Sequence, residues 1–189
     1  MGNQQETVSE AEYGWLAGII DGEGSISINR SLSHRTTIVY CARVQVPNTN
    51  QLIIDKARSI FDRLGAKGHV EKRQYGNNMR WKICSIITLN SAKDIEILLP
   101  LIIPYLVGKK RHAEILYRFV HSRLQRRSER KQTITFASTG RIATSTRFDK
   151  YNAEEISCYD QLVFLNKKGR ETDSSETTRQ TPSRRRVKI

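Results

Sequence analysis

The sequence predicts an α+β fold in the order helix–strand–strand–helix–strand–strand–helix, with two extra helices towards the C-terminus. Three observations lead to this prediction: a capping box that opens the first helix at Ser9, alternating polar and apolar residues on both sides of a second helix, and apolar residues at helical spacing after each strand pair. The chain has 189 residues, enough for one domain or two small ones. We expect a flexible N-terminus over 1–8, one folded domain over 9–166 and a disordered basic tail over 167–189.

Caps and turn residues set the predicted boundaries between the elements. Pro47 and Asn48 are predicted to end the second strand, and Ser91 with Asp94 predicts another capping box. Residues 126–150 are basic and rich in Ser and Thr without clear periodicity, so they are predicted as a loop or an insertion. The predicted elements are the helix from Ser9 to Gly22, strands over 25–29 and 37–46, a helix over 50–64, strands over 69–75 and 79–88, and helices opening at 91, at 109 (to 124) and at 152 (to 166).

The chain carries a large positive charge, since 32 Lys and Arg residues outnumber 19 Asp and Glu residues and leave a formal net charge of +13. Such a surplus indicates an anionic partner, most commonly nucleic acid, although an ordinary basic surface is the alternative. Three widely spaced cysteines exclude a disulfide-stapled secreted module. The longest apolar run, Ile95 to Val107, is too short to span a bilayer and is predicted to be broken by Pro100 and Pro104. We therefore expect a soluble, intracellular protein without a membrane partner, located in an organelle if it is organelle-encoded and in the cytoplasm otherwise.

The most informative segment is Leu16-Ala17-Gly18-Ile19-Ile20-Asp21-Gly22-Glu23-Gly24. Gly14, Gly18 and Gly22 recur every four residues and so leave one face of the first helix without side chains. Because an interior helical glycine costs about 1 kcal/mol relative to alanine, we expect a second helix to approach this face closely. Glu23 follows the helix between two glycines, where its carboxylate can project. A simple helix stop and a solvated glutamate are the alternatives.

This segment resembles the signature of the LAGLIDADG homing endonucleases. Pro104-Tyr105-Leu106 followed by Lys109 and Lys110 also resembles compact single-motif members from algal chloroplast ribosomal introns, and the resemblance covers roughly residues 10–125. It implies the αββαββα homing-endonuclease fold with a saddle-shaped antiparallel sheet. It also implies a site-specific endonuclease that makes a metal-dependent double-strand break in a long pseudo-palindromic DNA target, the intron-insertion site. The alternatives are a non-cleaving relative that binds nucleic acid, such as an intron-splicing maturase or a regulator, and a structural ribosome-associated protein.

The resemblance implies roles for individual residues as well. Glu23 would bind Mg²⁺, or Mn²⁺ as a substitute, with the backbone carbonyl of Gly22 as a second ligand, although the family more often has Asp at this position. Asn48 would orient water, and Lys109 would stabilise charge near the scissile phosphate. The family's further basic residue after the second strand has no match here, since the nearest aligned position is Leu52. Because each chain has one motif, the implied active form is a homodimer whose first helices meet along Gly14, Gly18 and Gly22.

The outward faces of the strands supply the predicted DNA-binding surface. Side chains of these types can read base edges in the major groove, Arg at guanine, Gln or Asn at adenine and Glu at cytosine, although a solvated sheet face would be equally polar. Basic residues at the start of the fourth helix are predicted to contact phosphates. Double-stranded DNA is the expected partner, and the protein's own intron RNA is a further candidate. The candidate DNA-binding residues are Ser25, Ser27, Asn29, Arg43, Gln45, Glu71, Arg73, Tyr75, Arg80, Lys82, Lys110 and Arg111.

Overall fold

The computed structural model describes residues 7–33, 37–74, 82–129, 134–135, 142–143 and 151–167. These residues form a mixed fold of helices and a four-stranded antiparallel sheet, as the sequence predicts. Most of the predicted N-terminal segment and of the predicted basic tail lies outside them. The elements are α1 (Glu10–Gly22), β1 (Ser25–Ser33), β2 (Thr37–Asn48), α2 (Gln51–Arg63), β3 (His69–Arg73), β4 (Cys84–Leu89), α3 (Ala92–Ile102), a 3₁₀ turn (Ile103–Tyr105), α4 (Lys110–Glu129), β5 (Ile134–Thr135), β6 (Ile142–Ala143) and α5 (Ala153–Lys167).

The sheet has the strand order β1-β2-β4-β3 and buries one of its faces. Along β2, Ala42, Val44 and Val46 point into the core, and Ile26 and Ile28 do the same on β1. Helices pack against this face, and their apolar side chains complete one continuous core. The other face, called the open face below, carries exposed or half-buried residues along β1 and β2. Within the described ranges, no helix combines the length and the apolar character needed to cross a bilayer.

The beginning of α1 forms as predicted and is tied to α2. The Ser9 side chain accepts a hydrogen bond from the backbone of Glu12, and the Glu12 carboxylate accepts one from the backbone N–H of Ser9 at 3.0 Å. Arg63 at the end of α2 donates to the same carboxylate and, as the main cause, lowers the pKa of Glu12 to about 2. Glu12 is therefore both half of the capping box and the link between two helices.

Two proline predictions are wrong. Pro47 and Asn48 do not break β2 after Val46: both belong to the strand, and they pair with Ile86 and Ser85 of β4. Proline is tolerated there because β1 pairs with β2 only as far as Gln45, so Pro47 has a neighbouring strand on one side only. Pro100 does not break the apolar run either, since it lies inside α3.

Other boundaries also differ from the predictions. The Ser91 side chain makes no capping hydrogen bond, so the second capping box does not form. β4 begins at Cys84, several residues later than predicted, and Lys82 precedes it. α4 continues to Glu129, so the predicted loop over 126–150 begins as helix, and β5 and β6 pair within the same region.

α5 packs against α4 and β1, and a buried polar cluster joins it to α4. The Glu155 side chain is fully buried, accepts a hydrogen bond from Arg126 Nη1 at 2.9 Å and lies 3.7 Å from Arg123 Nη1. It also accepts from the backbone N–H of Asn152, whose side chain accepts from the Glu155 N–H in return. Nearby, the Tyr151 hydroxyl accepts the backbone N–H of Tyr40 at 2.8 Å. The C-terminal helix is therefore an integral part of the domain.

Candidate active site and nucleic-acid interface

The end of α1 brings together three residues that lie far apart in the sequence. Glu23 is the C-cap of α1 and is exposed, and its backbone N–H still donates to Ile19 at 2.9 Å. Asn48 is the last residue of β2, and Lys109 immediately precedes α4. The Asn48 Nδ2 donates a hydrogen bond to Glu23 Oε2, and the Lys109 ammonium bonds to carbonyls at the end of α1. The predicted catalytic trio thus converges at one helix end.

Asn48 has both of its polar atoms engaged by the protein. Its Oδ1 accepts the backbone N–H of Asn50 at 2.7 Å, where Asn50 caps the start of α2. This bond orients the amide so that Nδ2 points at the Glu23 carboxylate. The side chain is 9% exposed and retains a second N–H. The geometry therefore makes Asn48 a support for Glu23, with one donor left for water.

Asp21 and Lys109 form a reciprocal clamp between α1 and the loop that precedes α4. The Asp21 carboxylate accepts backbone N–H bonds from Val107 at 2.6 Å, Gly108 at 3.2 Å and Lys109 at 2.7 Å. In return, the Lys109 Nζ donates to the carbonyls of Ile20, at 3.0 Å, and Asp21. Burial acts to raise the pKa of Asp21, but the three N–H bonds and the Lys109 charge outweigh it and hold the pKa below its ordinary value. The clamp fixes the Lys109 ammonium at the end of α1, the helix whose C-cap is Glu23.

The end of α1 has the donor chemistry that a hard divalent cation requires. A helix C-terminus carries a partial negative charge, and an exposed carboxylate at that end increases the negative potential. Lys109 occupies the Ile20 and Asp21 carbonyls, while Gly22 is the last residue of the helix and the next carbonyl in line. Mg²⁺ is commonly bound by one or two carboxylates together with water and phosphate oxygens. In the described part of the chain no three His, Cys, Asp or Glu side chains cluster, so Glu23 and Gly22 would hold the ion with ligands from outside this chain.

The three glycines of α1 differ in their surroundings. Gly18 and Gly22 are exposed, and a Cβ placed on either would meet no heavy atom within 4 Å. A Cβ on Gly14 would lie 3.9 Å from the Tyr105 ring. Gly24 is different, because a Cβ there would lie 2.8 Å from the Ile20 backbone. Gly24 thus serves the fold of the single chain, whereas Gly18 and Gly22 leave a helix face that no residue of the described part of the chain covers.

The open face of the sheet holds most of the candidate DNA-binding residues. Register pairs Ser25 with Gln45, Ser27 with Arg43 and Asn29 with Cys41. On β3, Arg73 forms an ion pair with Glu71, and this hydrogen bond is the main reason that the pKa of Glu71 is lowered. The candidate DNA-binding residues that the structure places on this face are Ser25, Ser27, Asn29, Arg43, Gln45, Glu71 and Arg73.

The remaining candidates are distributed elsewhere. Lys82 is exposed but precedes β4, so its prediction as a residue of that strand is wrong. Lys110 and Arg111 are exposed in the first turn of α4, directly after Lys109. Tyr75 and Arg80 lie outside the described residues. The basic start of α4 therefore adjoins the end of α1 and is not a separate patch.

Sequence reasoning missed Thr88, a buried polar residue of the open face. Thr88 of β4 is 8% exposed, and its hydroxyl accepts a hydrogen bond from the Gln45 side chain at 3.0 Å. A single threonine among the aliphatic residues Ile86, Ile87 and Leu89 gives no local signal of this contact. Strand alternation places Thr88 opposite to the core residues Ile87 and Leu89.

Solved structures of homing endonucleases share this mixed fold of helices and a four-stranded antiparallel sheet. The structure of I-CvuI in complex with its target in the presence of Ca matches with a TM-score of 0.52 and 20% identity, over 62% of this chain and 71% of that chain. I-CvuI in complex with the I-CreI target in the presence of Mg, with the DNA not cleaved, matches with a TM-score of 0.51 and 18% identity, over 82% and 96%. The group I intron-encoded I-CeuI complexed with DNA matches with a TM-score of 0.52 and 14% identity, over 66% and 61%. No protein-family model and no curated protein sequence matches the chain.

Proposed function

We propose that this protein is a site-specific homing endonuclease that makes a metal-dependent double-strand break in a long pseudo-palindromic DNA target, the intron-insertion site. The observation that carries the proposal is the convergence of Glu23, Asn48 and Lys109 at the C-terminal end of α1. The net charge of +13 and the polar open face of the sheet support DNA as the partner. The fold neighbours I-CvuI and I-CeuI are complexed with DNA, which supports the same partner.

Each of the three residues has a distinct part in the proposed reaction. Glu23 and the Gly22 carbonyl would hold Mg²⁺, with Mn²⁺ as a substitute, and Asn48 would fix the Glu23 carboxylate in place through its hydrogen bond to Oε2. When bound, the ion lowers the pKa of the attacking water and stabilises charge on the attacking and leaving oxygens. Lys109, held by the clamp with Asp21, places a positive charge beside the phosphate as negative charge develops there.

The proposed active form is a homodimer. Cleavage of both strands requires two such sites, and one chain supplies one Glu23 at the end of one motif helix. Pairing of two α1 helices along the glycine face, defined by Gly14, Gly18 and Gly22, would bring two Glu23 residues close together. The open space at Gly18 and Gly22 supports this arrangement, since no atom of the residues that the structure describes fills it. A two-fold protein then reads a pseudo-palindromic site.

A cleavage assay with Glu23→Gln tests the proposal. Linear DNA that spans the gene's intron-insertion junction is incubated with the protein and Mg²⁺, with EDTA as the control. We expect wild-type protein to cut it once and Glu23→Gln to bind it with little change but to leave it intact. Cleavage by the variant within tenfold of the wild-type rate would contradict the role of Glu23. Specific binding by wild-type protein without cleavage would instead indicate a non-cleaving relative, and the absence of both would refute the proposed function.

A further inference from the structure

A row of polar side chains crosses the open face of the sheet, with one residue from each strand. Register pairs Ser25 of β1 with Gln45 of β2, Gln45 with Thr88 of β4, and Thr88 with His69 of β3. Ser25 and His69 at the two ends are exposed, Gln45 is half-buried, and Thr88 is buried. This polar row therefore presents its outer members to a ligand, while Thr88 lies below the surface.

One hydrogen bond fixes the orientation of the Gln45 amide. Gln45 Nε2 donates to Thr88 Oγ1 at 3.0 Å, an ordinary length for such a bond. The amide nitrogen is thereby held on the side of β4, and the amide keeps its carbonyl oxygen as an acceptor and one remaining N–H as a donor. Because a glutamine side chain otherwise samples many rotamers, a partner that holds its end reduces the entropy lost when it binds a ligand.

We propose that Thr88 is a positioning residue that orients Gln45 to read an adenine in the DNA major groove. This inference rests on the proposed function. Adenine presents an acceptor, N7, beside a donor, the N6 amino group, and a glutamine amide matches both. Guanine presents two acceptors in the same place, so the oriented amide oxygen would face an oxygen there. Thr88 acts through Gln45 and does not contact the DNA itself, because the residue is only 8% exposed and its hydroxyl accepts the Gln45 hydrogen bond.

Selection from a random-sequence duplex library tests the inference without knowledge of the target. Wild-type protein, Gln45→Ala, Thr88→Val and the control Thr88→Ser each select bound DNA, and the preference for each base at each position is compared. Thr88→Val keeps the shape of the residue and removes its hydroxyl, whereas Thr88→Ser keeps the hydroxyl. We expect Gln45→Ala and Thr88→Val to lose the preference for adenine at the same position in each half-site, Thr88→Val by about tenfold, and Thr88→Ser to retain it.

Further measurements separate a positioning role from a structural one. Thermal melting of each variant monitors the fold, and Thr88→Ala replaces Thr88→Val if the latter does not fold. The double variant Gln45→Ala/Thr88→Val should select like Gln45→Ala alone, since both changes disable one contact. An unchanged adenine preference in Thr88→Val, or a uniform loss of its affinity for all sequences, would overturn this inference and leave the proposed function standing. If the wild-type protein selects no sequence, the proposed function fails and the inference fails with it.

Discussion

Replacing Gly18 by leucine tests the pairing of α1 helices, because the single chain and the dimer should respond with opposite signs. Gly18 is exposed, and a Cβ there meets no heavy atom within 4 Å, so the chain has room for a longer side chain. Glycine in a helix interior is about 1 kcal/mol less favourable than a good helix former. The isolated chain with Gly18→Leu should therefore be more stable than wild type by up to about 1 kcal/mol.

The dimer should be weakened by much more than the single chain is stabilised. Overpacking a close contact costs about 1–3 kcal/mol at each site, and a symmetric interface contains Gly18 twice, which gives about 2–6 kcal/mol. A cost of that size raises the dimer dissociation constant by about 30-fold to 10⁴-fold. Association of the variant should then be lost at concentrations where the wild-type protein is fully dimeric.

Sedimentation equilibrium across a concentration series measures the dissociation constant, and urea unfolding below that constant measures the stability of the single chain. Ser59→Leu is a matched control, because it adds the same side chain at an exposed position of α2. We expect Ser59→Leu to leave the dissociation constant unchanged. The reasoning would be refuted by a wild-type protein that is monomeric at micromolar concentration and still cleaves DNA. An unchanged dissociation constant in Gly18→Leu would remove the glycine face from the interface.

Three further substitutions test individual contacts. Lys109→Met should slow cleavage by about 10²-fold with little loss of affinity, because the ammonium acts on developing charge, and single-turnover cleavage beside a binding titration measures both. Asp21→Asn should reduce the change of the unfolding free energy with pH in the acid range. The pKa of Asp21 in the folded chain lies below its ordinary value of 3.8, so the ionised carboxylate stabilises the fold above about pH 4. This stabilisation is lost as the pH falls through the folded pKa. Urea unfolding at several pH values measures it. Glu155→Gln should cost about 3 kcal/mol in urea unfolding, because it removes a fully buried charge from two arginines.

Neighbouring positions provide the controls for these variants. Lys110→Met removes an exposed charge next to Lys109 and should leave the cleavage rate of bound DNA unchanged. Equal losses of affinity and rate in Lys109→Met would reassign that lysine to a simple phosphate contact. A wild-type acid transition identical to that of Asp21→Asn would contradict the role of the clamp. Glu154→Gln changes an exposed charge beside Glu155, and if it destabilises as much, burial is not the cause.

The fold could be predicted because local signals and the motif agree. The Ser9 capping box, the strand alternation and the glycines after α1 each act within a few residues, and each is confirmed. Pro47 was misread because its cost depends on whether a strand lies on each side of it, which the sequence does not state. Tertiary contacts overrode local preference there.

The candidate site could be predicted only in part. The motif identified Glu23, but the bond that joins it to Asn48 arises from the crossing of α1 and the end of β2. Likewise, the pairing of Gln45 with Thr88 follows from the strand register, since 43 residues separate the two. Contacts between distant residues of this kind leave no local pattern in the sequence.

The tyrosine contact between the C-terminal segment and β2 has a consequence for solubility. β4 covers β2 only from Val44 onward, so the earlier part of β2 has an edge that β4 does not pair with. Unpaired backbone groups at such an edge can recruit a strand from another molecule and lead to aggregation. The Tyr151 hydroxyl occupies both the N–H and the carbonyl of Tyr40 at this edge, and its ring packs against the Tyr40 ring. A side chain that satisfies the edge at Tyr40 but cannot extend the sheet thus hinders the addition of a further strand at this point.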